Sequence, residues 1–181
     1  MPVYYHISLG DGLNVNKDLK NNLKLNQLIF FSKKDSKWYE IWQDIGTKHI
    51  KSYAIYKLTI PNKLFTNSFT PKEKKIIKVN NLENVKKYLE FCKILASDSL
   101  SGSARTLSGS ARKNITYFRN NNIIGFDFNS PYIENNWEQI EQIDTELKIE
   151  REGFIDPLYI KNGSIKCEKV SIYKNGIYKK I

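Results

Sequence analysis

Few side chains in this sequence can do acid–base or nucleophilic work. There are two histidines, His6 in VYYHIS and His49 in TKHIKS, and two cysteines, Cys92 and Cys167. The cysteines stand far apart with no histidine pattern beside them, whereas a zinc centre or a redox pair needs closer, repeated spacing. Both are expected to be free, buried thiols. His49 lies between lysines and is expected to face solvent. His6 stands in a β-branched, aromatic stretch, Val3 to Ile7, that reads as a strand. Late in the chain Glu168 opens the apolar run EKVSIYKNGI, and Glu150 and Glu152 stand in EREGF. An imidazole can hold or move a proton, and a fixed carboxylate can balance a developing positive charge. What matters is whether the two ends of the chain meet.

The elements that would position these groups alternate between strand and helix. LNQLIFFSKK (25–34) reads as a strand buried on both faces. Asp35-Ser36 then offers a helix start, with Trp38, Tyr39, Ile41, Trp42 and Ile45 on one apolar face and Gly46 as the stop. SYAIYKLTIP (52–61) alternates and ends at a proline, as a strand does, and residues 64–69 extend or pair with it. The stretch 71–79 reads as a basic turn leading into a helix whose stripe is Leu82, Val85, Leu89, Cys92 and Ala96. IIGFDF (123–128) is a strand, followed by a turn and a short acidic helix, and the tail divides into strands near 146–150, 158–161 and 168–173. Between them lies a near-repeat, LSGSART-LSGSARK (100–113), whose serines and arginines, Arg105 and Arg112 among them, suit phosphate oxygens if the segment is a loop. A tandem duplication in a tolerant surface segment is the favoured explanation of it. No linker splits the 181 residues, so one mixed α+β domain is expected, with residues 97–145 as a candidate insertion or acceptor-binding segment.

Composition sets outer bounds. Hydrophobic residues make up 40% and aromatics 13%, enough for a sizeable core. No run is long and apolar enough for a bilayer, and MPVYYHIS lacks the charged-then-apolar pattern of a secretory signal, so no membrane contact and a cytoplasmic location are expected. The net charge of +10 favours polyanionic partners, although abundant Lys, Asn and Ile also reflect the usage of an AT-rich genome.

Three ordered stretches carry a resemblance: YYHIS (4–8), IFFSKKDSKWYEIW (29–42) and GFIDPLYIKNGSIKCEKVSIYKNGI (153–177). Together the set resembles the ADP-ribosyltransferase superfamily, in its diphtheria-toxin-like and poly(ADP-ribose)-polymerase-like branch. Tyr5-His6 is similar to the family's first-strand Tyr-His, with Ile7-Ser8 where Gly-Thr is usual. Phe30-Phe31-Ser32 is similar to its aromatic-aromatic-Ser strand, and Glu168 to the glutamate that opens its late strand. Gly153-Phe154-Ile155-Asp156 looks like the family's Gly-Tyr-Asp lead-in. Roughly residues 60–145 are not covered.

The resemblance implies a split mixed and antiparallel sheet flanked by helices, NAD as co-substrate, and transfer of ADP-ribose to a macromolecule. Cleaving the nicotinamide–ribose bond passes through an oxocarbenium-like state, as glycoside cleavage does, and a fixed carboxylate stabilises that state above the ground state. Glu168 would serve there and His6 would hold a ribose hydroxyl, with Tyr5 beside it. Glu150 and Glu152 compete for the carboxylate role but precede the strand whose onset the family uses. Ser32 or Ser8 would bond the nicotinamide amide or the adenosine side. Phe31 would be one stacking plate for the cationic nicotinamide and Tyr39, ahead of Trp42, the other. Arg105 and Arg112 would meet the acceptor, nucleic acid or protein, and family habit implies a toxin, effector or phage-conflict role with a possible antitoxin or immunity partner. The competing expectations are a non-enzymatic basic nucleic-acid-binding domain, an inactive relative that binds NAD-like ligands, and a small ribonuclease-type toxin, which would want a close acid–base pair that the sequence does not offer.

Overall fold

In the computed structural model, residues 3–9, 18–34, 37–50, 52–97, 115–128, 132, 135–136, 138–139, 153–174 and 176–181 are described. Arg105, Arg112, the repeat around them, the strand expected near 146–150, and Glu150 and Glu152 lie outside the described residues, as do the side chains of Trp38, His49 and Cys92.

Among the described residues the strands form two sheets. The first is antiparallel: β1 (Val3–Leu9), β3 (Ser52–Thr59), β8 (Lys166–Lys174) and β9 (Ile177–Lys180) lie side by side in that order. The second is mixed, in the order β2 (Ile29–Phe31), β7 (Gly153–Ile155), β6 (Ile123–Phe128), β5 (Lys75–Val79) and β4 (Phe65–Thr66). Here β4, β5 and β6 run parallel, and β7 is antiparallel to both its neighbours. The α+β class and the mixture of antiparallel and mixed sheets agree with expectation. No helix among the described residues is long and apolar enough to cross a membrane.

Helices fill the flanks. α1 (Lys37–Ile45) does not stop at Gly46 as expected but widens into a π-helical turn over Gly46–Ile50. α2 (Leu82–Ser97) is capped by Asn81, whose Oδ1 accepts from the Asn84 amide at 2.8 Å, and it buries Val85, Tyr88 and Leu89. α3 (Ile115–Asn120) leads directly into β6. α4 (Leu158–Lys161) stands where a strand was expected, because Asp156 and Pro157 together start a helix: Asp156 Oδ1 accepts the Leu158 amide at 2.9 Å, and proline suits a first turn. The stretch 71–79, expected as a turn from its lysines, contains β5. Its inward residues Ile76 and Ile77 are fully buried between parallel neighbours. The strand of 25–34 is shorter than expected, and β7, only three residues long, was not expected at all.

Two core layers follow from this arrangement. Tyr88, Phe118, Phe126, Phe128 and Phe154 lie between the second sheet and α2 and α3. Tyr4, Phe31, Leu58, Ile76, Ile124 and Ile155 lie between the two sheets. Each such side chain contributes about 1.5–3 kcal/mol by leaving water. Gly153 is required by close packing, since a methyl group there would overlap the Phe31 ring and the Phe126 carbonyl.

One ion pair ties the layers together. Arg119 in α3 grips the wholly buried Asp156 with two bonds of 2.7 and 2.8 Å and donates to the Leu25 carbonyl at 2.6 Å. Removing one partner of such a pair leaves an uncompensated buried charge. Arg119→Ala is therefore expected to lower the unfolding free energy by about 3–5 kcal/mol in urea titrations. Arg119→Lys, which loses the forked geometry, is expected to fall between the variant and the parent.

Candidate functional site

The two sheets meet where β1 passes the end of β2. The Tyr5 amide donates to the Ser32 carbonyl at 2.7 Å, and the Ser32 amide donates back to the Tyr5 carbonyl at 2.8 Å. One residue on, His6 Nδ1 lies 2.6 Å from the Phe30 carbonyl. A carbonyl only accepts, so Nδ1 carries the proton, and in the neutral ring Nε2 carries the lone pair. Thus the first two motifs, YYHIS and FFS, form one junction.

Strand alternation then divides the residues of β1 between two faces. Tyr4, His6 and Ser8 share the face that packs towards the second sheet. His6 is half-buried, with its ring 6.4 Å from that of Tyr56, and Ser8 is buried. Tyr5 and Ile7 point the other way, under α1. Tyr5 meets Tyr39 edge to face at 5.7 Å. Tyr39 is buried, and burial, followed by the neighbouring Tyr178, Tyr5 and Tyr53, pushes its phenol up to about 12. It is a neutral hydroxyl at any physiological pH. Trp42 is half-buried on the same helix.

Two expected roles meet obstacles in this geometry. Phe31 is 1% exposed, with the Tyr4 ring 4.5 Å from its own and Gly153 beneath it, so it is a core residue, whereas a stacking plate needs an open face. Glu168 sits on β8 opposite Lys57, which in turn sits opposite Tyr5. Cross-strand partners share a face, so Glu168 is turned away from His6, whose row continues through Tyr56 to Lys169. Its carboxylate is exposed and pairs with Lys166 at 2.7 Å, and that hydrogen bond and charge hold it below the usual carboxylate range. The structure therefore brings His6, Tyr5 and Ser32 to one junction, with Tyr39 packed on Tyr5 on the face opposite His6, and it leaves Glu168 in the row of Tyr5, turned away from His6.

A further acidic group lies near the junction. Asp127, on β6, is 6% exposed and pairs across the sheet with Gly153, next to Phe31. Tyr4 donates to its Oδ2 at 2.6 Å, while among the described residues no donor reaches its Oδ1. The lone acid in the apolar run IIGFDF was the available signal for it. Burial pushes its carboxyl above the usual range, against the pull of the Tyr4 hydroxyl and of Lys33 and Lys78. Cys167 is a free, half-buried thiol pushed up to about 12, chiefly by burial, and so is no nucleophile at neutral pH. Among the described residues no group of three or more His, Cys, Asp or Glu side chains is placed to hold a metal ion.

A carboxyl raised in the fold costs stability once ionised. That cost is absent below the unfolded value of about 3.9 and appears as pH rises through the higher folded value. Asp127→Asn keeps an acceptor for Tyr4 and removes the charge. It is expected to melt higher than the parent at pH 7 and to converge with it near the unfolded value. Melting profiles that stay parallel across that window would show that Asp127 does not titrate with folding.

No protein-family model, curated protein or solved structure matches this chain.

Proposed function

We propose that the chain is a mono-ADP-ribosyltransferase that cleaves NAD and passes ADP-ribose to a macromolecular acceptor, as a toxin, effector or phage-conflict protein. One observation supports this above the rest: Tyr5 is hydrogen-bonded to Ser32 and His6 to Phe30, residues distant in sequence, and the helix that follows Ser32 covers Tyr5. Two sheets split at that junction and flanked by helices also accord with the architecture the resemblance implies.

In this reading a ribose hydroxyl donates to Nε2 of His6, whose ring is oriented by the Nδ1 bond to Phe30. The bond from the ribose anomeric carbon to the nicotinamide nitrogen breaks with its electron pair leaving on nicotinamide. The positive charge left on the sugar needs a carboxylate. Glu168 is turned to the other face and engaged by Lys166, so in this reading the role passes to Glu152, one of the two competing acids of EREGF. The acceptor's lone pair closes on the anomeric carbon and its proton leaves to a base. Arg105 and Arg112 remain the proposed acceptor contacts, and an antitoxin partner belongs to the same reading.

The test is nicotinamide release from NAD, with and without cell extract as a source of acceptor. Glu152→Gln and His6→Ala are expected to lower turnover by roughly 100-fold or more, and Glu168→Gln to leave it near wild type. Loss of activity in Glu168→Gln with Glu152→Gln unaffected would reverse the carboxylate assignment. No release by the wild-type protein in any condition, together with salt-sensitive nucleic-acid binding that survives His6→Ala, would establish the non-enzymatic binding domain instead.

A further inference from the structure

A second concavity lies on the opposite side of the second sheet, between α2, α3 and the turn that enters β5. It is an open groove of about 450 Å³, within the roughly 300–1,000 Å³ of small-ligand sites. One wall is aromatic. Tyr117 is 39% exposed and meets Phe91 edge to face at 5.5 Å, and Phe91 in turn stacks on the buried Phe118 at 5.8 Å. The platform is thus fixed to the core while Tyr117 itself remains exposed.

The other wall is a run of amides, Asn120, Asn121 and Asn122. Asn122 holds a left-handed backbone, φ 60°, pinned by its Nδ2 to the Pro71 and Lys72 carbonyls at 3.3 and 3.2 Å. Asn121 Nδ2 donates to the Tyr117 carbonyl at 2.8 Å. These bonds consume amide donors and leave side-chain carbonyls as acceptors, with the exposed Asn120 able to do both. Glu90 adds another acceptor to the lining, and Lys87, paired with the exposed Glu83 at 3.3 Å, lines it too.

We propose that this groove holds one nucleobase of a single-stranded nucleic acid, stacked on Tyr117 with Phe91 as that ring's support, its exocyclic amine bonded to Asn120 or Glu90, with phosphate against Lys87. A flat π-face beside hydrogen-bond acceptors is how unpaired bases are gripped, and the net charge of +10 draws the backbone. The site stands independently of the NAD chemistry proposed above.

The test is fluorescence anisotropy of the full chain with labelled DNA and RNA oligonucleotides of about 12 residues, in the absence of NAD. Tyr117→Ala is expected to weaken binding roughly 10-fold, and Tyr117→Phe, which keeps the ring, to leave it unchanged. Asn120→Ala, an exposed substitution that does not threaten the fold, is expected to weaken adenine- and cytosine-rich strands more than thymine- or uracil-rich ones, which lack an exocyclic amine. The slope of affinity against salt should be the same in Tyr117→Ala and the parent, because the phosphate contacts persist. The DNA and RNA arms tell which polymer is preferred. Equal affinity of Tyr117→Ala and wild type, or displacement of the oligonucleotide by polyglutamate as readily as by unlabelled strand, overturns the proposal. A protein that turns over NAD and fails here loses the groove and not the junction, and the converse outcome separates them equally.

Discussion

The structure depends on a suture three hydrogen bonds long. β1 is the outer strand of one sheet and β2 of the other, and each would present unpaired backbone groups at its edge. The reciprocal Tyr5–Ser32 bonds and the His6–Phe30 bond close those two edges onto each other. Because the contact is a single bridge and not a full ladder, the sheets can diverge from it. The apolar layer of Tyr4, Phe31, Leu58, Ile76 and Ile155 fills the wedge that opens between them. The same bridge sets the position of the residues around the junction: His6 on one face of β1, Tyr5 and Tyr39 on the other, and Ser32 at the joint itself.

Three acids show how differently the fold treats a carboxylate. Asp156 is wholly buried and fully compensated, with Arg119 on both oxygens and the Leu158 amide as a further donor, and so serves as a fixed node between α3, β7 and α4. Asp127 is nearly as buried but has a phenol where Asp156 has a guanidinium, and its environment favours the protonated form. Glu168 is on the surface with a lysine beside it, an ordinary exposed pair of little energetic weight. Asp127 thus combines a carboxyl raised by burial with an Oδ1 that no donor among the described residues reaches.

Patterns with a clear period were legible in the sequence. Alternation in SYAIYKLTI and the helical stripe of Val85 and Leu89 led to β3 and α2. The ordered motifs pointed to a meeting of the chain's two ends, whereas the bridge in the structure joins YYHIS to FFS. Elements whose residue types contradict their environment were not legible. β5 carries lysines that suggest a turn, yet its isoleucines are locked between parallel neighbours distant in sequence. β7 is three residues long, too short for any period, and is defined by Gly153 fitting beneath Phe31. The facing of Glu168 turns on a single position of cross-strand register, with a register shift between Lys169 and Ser171 of β8, and a one-residue slip exchanges the two faces of a strand. Side-chain facing on an irregular strand is set by its neighbours, and a motif match carries no information about it.

Amide hydrogen exchange at Tyr5 and Ser32 reports on the suture most directly. If these reciprocal bonds join the sheets, both amides exchange only through opening of the whole junction, slowly and at closely matched rates. Exchange at the rate of a solvent-facing strand edge, or protection of one amide without the other, would mean that the two sheets are not held together there, and the shared site at their meeting point would have no structural basis.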